Sequence, residues 1–348
     1  MRVLLTGHNG YIGSVLGPFL ARFGHQVVGI DVGYFAETDF FEERDRTDFM
    51  RIDIRDLARL PVLEGFDAII HLAALSNDPI GNLRAEWTEQ INSNGTLRLA
   101  ELAKKAGVPR FLFSSSCIMY GSASTAEVDE IAPLDPKTEY ARSKVTAEEG
   151  LRSLASDDFS PIYIRNGTIY GISPRMRFDT VLNNFVGQAV ATGKIIIYSN
   201  GEPWRPVVHL EDVCRTFVQF LDAPIEKVHN EAFNNGADEL NRRVIDLAKA
   251  AQKAVPDTEI ELRAEAGADQ RTYRASFAKF RNVFPDFRFN WNPETGAVQL
   301  ADAFRRIGLH RDKFERRDFT RLKWLKGLIA EGRLDIDLRW TKPAPAHG

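Results

Sequence analysis

Cysteine is almost missing from this chain of 348 residues: there are two, Cys117 and Cys214, each in an apolar run. A disulfide framework or a zinc site needs more, so the pair points to a reducing compartment and to no metal site. Long hydrophobic runs are missing as well. No uninterrupted apolar stretch approaches the ~18 residues of a membrane helix. The N-terminus, MRVLLTGHNG, is apolar but broken by Gly7, and does not read as a signal peptide. Neither sign of charge is in excess: 45 Lys and Arg face 48 Asp and Glu, for a net charge of −3. That leaves no electrostatic footprint for nucleic acid. No internal repeat is visible. The expected setting is the cytoplasm, with neither nucleic acid nor membrane as a partner. What is present is ordinary for a globular protein, 44% hydrophobic and 27% charged. The length leaves room for about two domains.

The first half alternates short apolar runs with amphipathic stretches. The runs predict strands at Arg2–Leu5, Gln26–Ile30, Phe49–Asp53, Ala68–Leu72, Arg110–Ser114 and Pro161–Arg165. Several are nearly all apolar, as strands buried on both faces are. Helical spacing runs through Tyr11–Phe23, with Val15, Leu16, Phe19, Leu20 and Phe23 on one stripe, and through Glu86–Lys105. This alternation predicts an α/β fold with a Rossmann-type doubly wound parallel sheet. Past residue 172 the rhythm changes. Phe178–Thr192 reads as a helix, Lys194–Tyr198 as a strand, and Val207–Ala223 as a return to the first lobe. The expected division is a dinucleotide-binding domain over 1–171, rejoined by 206–223, and a smaller mixed α+β lobe from 172–205 and 224–342. Within that lobe Arg311–Trp340 is dense in charge and reads as a peripheral helix pair, not a binding element. Residues 343–348 read as a disordered tail.

"TGHNGYIGS" follows the first strand and opens the first helix. Gly7, Gly10 and Gly13 permit a tight turn, close approach of backbone to a pyrophosphate, and close helix–strand packing. Asn9, Tyr11 and Ile12 complete the loop, and the helix N-terminus offers unpaired N–H groups to phosphate. Asp31 ends the second strand, where a carboxylate accepts from an adenosine ribose and repels a 2′-phosphate. No Lys or Arg follows before Arg44. The site therefore reads as one for NAD, not NADP. Asp53, at the end of the third strand, is placed to accept from the adenine amine, with Ile54 packing on the ring. "HLAAL" ends the fourth strand with Leu72, Ala73 and Ala74, whose small side chains let a dinucleotide cross the sheet edge. His71 beside them reads as structural.

"YARSK" sets Tyr140 and Lys144 four residues apart on a predicted helix, so they share a face. A tyrosine with a pKa near 10 is a poor base at neutral pH. A lysine ammonium close by, and an oxidised nicotinamide beyond it, favour the phenolate. The phenolate can then take a proton from a substrate hydroxyl while hydride leaves the same carbon. In "SSSCIMYG" Ser116 is the serine expected beside Tyr140, hydrogen-bonded to the reacting oxygen.

Taken together, TGxxGxxG, the strand-ending Asp, HLAA, SSSxxxYG and YxxxK resemble the extended short-chain dehydrogenases/reductases, and within them the nucleotide-sugar epimerase/dehydratase group. The resemblance spans about residues 1 to 290. It implies NAD as cofactor, Ser116, Tyr140 and Lys144 as the catalytic set, and a nucleotide-diphosphate sugar held by the C-terminal lobe. It also implies Arg205 and Arg271 as diphosphate contacts and Asn183 as a cover over nucleotide and sugar.

Two departures from the group's pattern bear on the reaction. Sugar 4,6-dehydratases of the group carry an acidic pair directly after the active-site Ser/Thr, but here that pair is Cys117-Ile118. Neither can protonate a departing hydroxyl. In "RNGTIYGISPRMR" the group's usual Asn position is Thr168, with Asn166 offset by two, and Arg175 and Arg177 become further phosphate contacts. The stretch resembles a branch that includes enzymes oxidising C4 of GDP-linked heptoses. The expectation is an NAD-dependent epimerase that transiently oxidises C4 of the sugar, in a homodimer. A net C4 dehydrogenase or 4-keto reductase would use the same residues, and a non-catalytic nucleotide-binding regulator would leave them unused.

Overall fold

The computed structural model describes residues 1–41, 49–56, 58, 60, 62–76, 78–81, 83–122, 127–263 and 271–342, so the expected tail at 343–348 lies outside it. Seven parallel strands form the main sheet. Their spatial order is Ala232–Asn235, Ser160–Asn166, Arg110–Ser116, Ala68–His71, Arg2–Thr6, Gln26–Asp31 and Met50–Arg51. This is the doubly wound sheet the sequence predicts. Strand alternation sends neighbouring side chains to opposite faces. Leu4 packs with Leu99, Ala147 and Leu151 on one face, and Val3 and Leu5 pack with Leu16, Leu20 and Phe217 on the other. Burying one such side chain contributes ~1.5–3 kcal/mol, which is why both faces must be apolar.

The chain leaves Arg2–Thr6 toward one edge and returns on its other side at Ala68–His71. A sheet reverses order at such a point, and a crevice opens beyond the carboxyl ends of its strands. The helix Gly13–Arg22 starts two residues later than the apolar stripe, because Gly7–Ile12 is spent on the loop. Phe49–Asp53 pairs only at Met50–Arg51. Val207–Ala223 begins as the end of the strand Trp204–His209 and continues as the helix Leu210–Asp222, which packs against Gly13–Arg22 under the main sheet.

The C-terminal lobe is a cluster of three helices, Val181–Thr192, Val244–Ala254 and Pro293–Arg306, around Phe178, Leu182, Leu247, Leu300 and Phe304. The span 224–342 is not confined to that lobe. Ala232–Asn235 extends the main sheet beside Ser160–Asn166. Residues 321–340 return to the first lobe, where Trp324, Leu325, Leu328, Leu334 and Leu338 join the core that holds Tyr34 and Ile69. Polar contacts fix this return. Trp324 Nε1 donates to Tyr34 O at 2.6 Å, Trp340 Nε1 to Val32 O at 2.9 Å, and Trp87 Nε1 to Ile336 O at 2.9 Å. The apolar spacing in 321–340 thus packs on the edge of the first lobe, while Phe314 and Phe319 before it join the core of the C-terminal lobe, so the segment is not a peripheral pair. No helix among the described residues is long and apolar enough to cross a membrane.

Candidate active site

A cavity opens at the carboxyl ends of the strands, between the main sheet and the C-terminal lobe. Gly7, Gly10, Tyr11, Ile12 and Gly13 form its floor. Gly7 has φ +71°, and a Cβ there would sit 2.8 Å from Ala73 N. A Cβ on Gly13 would sit 2.2 Å from Gly7 O and 2.7 Å from His8 Cα. Only glycine lets the loop lie this close to the sheet and to the helix start. Among the described residues no side chain caps that helix, and its first turn carries no acidic residue. Its N-terminal N–H groups and dipole therefore suit an anion.

Asp31, Asp53, Ile54, Leu72, Ala73 and Ala74 line the same cavity. The Asp31 carboxylate accepts from Asn9 N at 3.0 Å and Gly33 N at 2.7 Å, so it also ties the glycine loop to the second strand. Burial pushes its pKa up, opposed by those two bonds and by Arg175 and Arg51. Asp53 lines the cavity with its carboxylate already held by Arg55 at 2.6 Å and Arg339 at 3.2 Å. His71 is clamped between Thr6 Oγ1 at 2.7 Å and Thr96 Oγ1 at 2.8 Å. Burial pushes its pKa down to about 3, so it is a neutral structural residue at pH 7. Thr6 Oγ1 in turn accepts from Leu72 N and Ala73 N, each at 3.2 Å.

At the other end of the cavity stand Ser116, Tyr140 and Lys144. Ser116 closes the strand Arg110–Ser116, and its hydroxyl lies near enough to the Tyr140 phenol to favour the charged form. Tyr140 and Lys144 share one face of the helix Glu139–Leu154, which Thr138 caps by accepting from Ala141 N at 3.1 Å. Lys144 Nζ donates to Ser114 O at 2.7 Å and lies 5.7 Å from the Tyr140 ring centroid. Burial holds Lys144 down to about 7. Burial and then Asp78 push Tyr140 up to about 12, while Arg177 and Ser116 act the other way. In the chain by itself the expected lowering by the lysine is not seen, because desolvation disfavours both charged forms.

The residues assigned to substrate separate into two sets. Asn166, Thr168 and Arg177 line the cavity with Ser116. Arg177 donates to Asp179 at 2.8 Å and to Ser76 Oγ at 3.2 Å, with its guanidinium 6.0 Å from the Tyr11 ring centroid. Four do not line it. Arg175 is fully buried and reaches Asn9 Oδ1 at 3.0 Å and Asp39 at 2.6 Å, which makes it a prop of the glycine loop and not a phosphate contact. Asn183 accepts from Gly171 N and donates to Tyr11 OH and Arg177 O, each at 3.0 Å, so its amide is used up in tying the two lobes together. Arg205 donates to the Arg271 carbonyl, so this pair does meet, but outside the cavity wall. Arg271 donates to Asp78 at 2.8 Å.

Asn92 carries no signal in the sequence. It lies where the helical run from Ala85 to Lys105 widens to i→i+5 bonding over Glu89–Asn94. Its amide accepts from Leu75 N at 2.8 Å and donates to Leu75 O and Ser143 Oγ, each at 3.1 Å. It thereby joins the cavity wall to the helix of Tyr140.

With this geometry in view, comparison with known proteins is decisive. The profile of the NAD dependent epimerase/dehydratase family matches residues 3–236. The chain belongs to that family. It is 29% identical over 310 residues to the UDP-glucose 4-epimerase of Mycolicibacterium smegmatis, covering 86% of this chain and 96% of that protein. It is 28% identical over 278 residues to the dTDP-D-glucose 4,6-dehydratase of Mus musculus, covering 77% of each. The UDP-glucose 4-epimerase of Thermotoga maritima, solved with UDP-glucose, superposes with a TM-score of 0.78 at 23% identity, over 88% of this chain and 99% of that one. The family's cofactor is NAD, and the site fits it. The glycine cradle that any Cβ would fill, the uncapped helix start and the carboxylate of Asp31 are the donors and acceptors a dinucleotide needs.

Proposed function

We propose that the protein is an NAD-dependent nucleotide-sugar epimerase that acts by transient oxidation at C4. The observation that carries this reading is the meeting of Ser116, Tyr140 and Lys144 in one cavity with the glycine loop, with no acid after Ser116. Cys117 is fully buried, donates to Arg165 O at 3.1 Å, and has its pKa driven far up by burial. Its proton is held on a backbone carbonyl and the thiol is too weak an acid to protonate a leaving hydroxyl, which favours this reading over dehydration.

Gly7–Gly13 would hold the NAD pyrophosphate, Asp31 the adenosine ribose, and Leu72–Ala74 the path across the sheet edge. When bound, NAD supplies the acceptor and donor of hydride and, oxidised, a positive charge that favours the phenolate. Tyr140 takes the C4 hydroxyl proton and returns it after the 4-keto sugar has turned. Ser116 donates to the reacting oxygen and holds it against the phenol. Lys144, fixed by Ser114 O, keeps the tyrosine rotamer and adds charge beside it. Thr168 and Arg177 contact the sugar end, and Arg205 with Arg271 forms the diphosphate clamp, with Arg271 exchanging Asp78 for phosphate.

The test is product analysis on a panel of UDP-, GDP-, CDP- and dTDP-sugars with Tyr140→Phe as control. The 4-epimer is expected without accumulating NADH, and Tyr140→Phe should lose at least ~10²-fold in turnover while keeping NAD. Stoichiometric NADH would mark a net dehydrogenase. Near wild-type turnover by Tyr140→Phe would remove that residue from the chemistry.

A further inference from the structure

The C-terminal return places one side chain that neither the glycine loop nor the reacting set accounts for. Arg321 opens the helix Arg321–Ala330, is 4% exposed, and lines the cavity together with Gly10–Gly13 and Asp31. Its Nη2 donates to Arg175 O at 2.8 Å, and its guanidinium lies 4.0 Å from the Phe35 ring centroid. Its Nη1 has no hydrogen-bond partner among the described residues. The cavity's other cations have partners: Arg177 pairs with Asp179 and Lys144 donates to Ser114 O, while Arg175, behind the wall, pairs with Asp39. No carboxylate is in contact with Arg321 among the described residues. Burial, and then repulsion from Arg177, pulls its pKa down to about 9. A buried cation without an anion is costly and persists where something else requires it.

Its surroundings say which anion. Among the charges acting on it, Arg177 lies over the Tyr11 ring and Arg175 holds Asn9, while Asp31 binds the backbone of the same loop. Arg321 therefore stands beside the glycine loop, and its guanidinium fork suits phosphate oxygens. We propose that Arg321 is a cofactor ligand, through which the C-terminal helix adds a cation to the pyrophosphate of NAD. Closing the site this way makes residues 321–340 a strap that retains the cofactor, whichever reaction follows.

The test compares Arg321→Met, Arg321→Gln and Arg321→Lys in the full chain, by calorimetry with NAD, ADP-ribose and NADP and by melting with and without NAD. Arg321→Met keeps an apolar stem on Phe35 and removes the unmatched charge. The nucleotide-free protein should then melt at or above the wild-type temperature, while NAD and ADP-ribose bind on the order of tenfold to a hundredfold more weakly. Arg321→Gln should weaken both ligands similarly, and Arg321→Lys should recover part of the loss. Wild-type affinity for ADP-ribose in Arg321→Met and Arg321→Gln overturns the proposal. So does a lowered melting temperature of all three nucleotide-free variants, which makes the guanidinium a structural prop. A loss confined to NADP also overturns it, because the cation would then face a 2′-phosphate.

Discussion

Replacing Asn92 with alanine should loosen the cofactor wall without touching any group that meets a ligand. Asn92 is 1% exposed, and its amide is the partner of both Leu75 N and Leu75 O. Leu75 is itself buried at 5% exposure. Truncation leaves a buried donor and a buried acceptor unmatched, each costing about 1–3 kcal/mol, or about 2–6 kcal/mol together. At about 2.1 cal/mol/K per residue, a chain of 348 residues has an unfolding entropy of about 0.7 kcal/mol/K. The melting temperature should therefore fall by about 3–8 °C. Because Leu75 and Ser76 line the cavity and Ser76 holds Arg177, NAD affinity should fall with it. Differential scanning calorimetry and an NAD titration on one preparation read both. A variant that melts within 1 °C of wild type and binds NAD equally would refute the role given to Asn92.

Asp31→Asn should raise affinity for NADP relative to NAD on the order of tenfold to a hundredfold, since it removes the negative charge facing a 2′-phosphate and leaves Arg51 and Arg175 nearby. Parallel titrations measure the ratio, and an unchanged ratio would place Asp31 away from the ribose. Acid should destabilise the fold through His71. Its folded pKa of about 3 lies below the unfolded value of 6.5, so between those two pH values the unfolded chain binds the extra proton and stability falls as pH falls. The slope from this one group is about 1.4 kcal/mol per pH unit. Urea melts of wild type and His71→Asn across that window should differ in slope by about one proton, and equal slopes would mean the imidazole protonates freely in the folded state.

Most of the first lobe is legible because its signals are local. Strands such as Ala68–His71 are buried on both faces and read as unbroken apolar runs. The glycine loop, Asp31 and the Tyr140–Lys144 pair lie within a few residues of the strand or helix that positions them. What escaped the sequence depends on distant partners. Arg175 and Arg177 are two residues apart in one loop, yet Arg175 turns into the protein toward Asn9 and Arg177 lines the cavity. Nothing in the local pattern separates them. Asn92 looks like a solvated helix residue until the widened turn aims it at Leu75. The C-terminal segment misled because its charge density suggests solvent. Its tryptophans instead donate to Val32 and Tyr34, about three hundred positions earlier. Asp53 lines the cavity, and only its second cation, Arg339, comes from a distant position.

The central claim is that the sugar is oxidised and reduced at C4 by the same bound cofactor, with Tyr140 moving the proton. It is tested most directly by following the hydrogen itself. The nucleotide sugar accepted from the panel is prepared with deuterium at C4 and incubated with the protein, and the product is read by mass spectrometry and NMR. The account predicts a 4-epimer that retains deuterium at C4, with none released to water and no reduced cofactor building up. Deuterium lost to solvent, deuterated cofactor accumulating in step with a keto sugar, or a product inverted at another carbon with C4 unchanged would each contradict it.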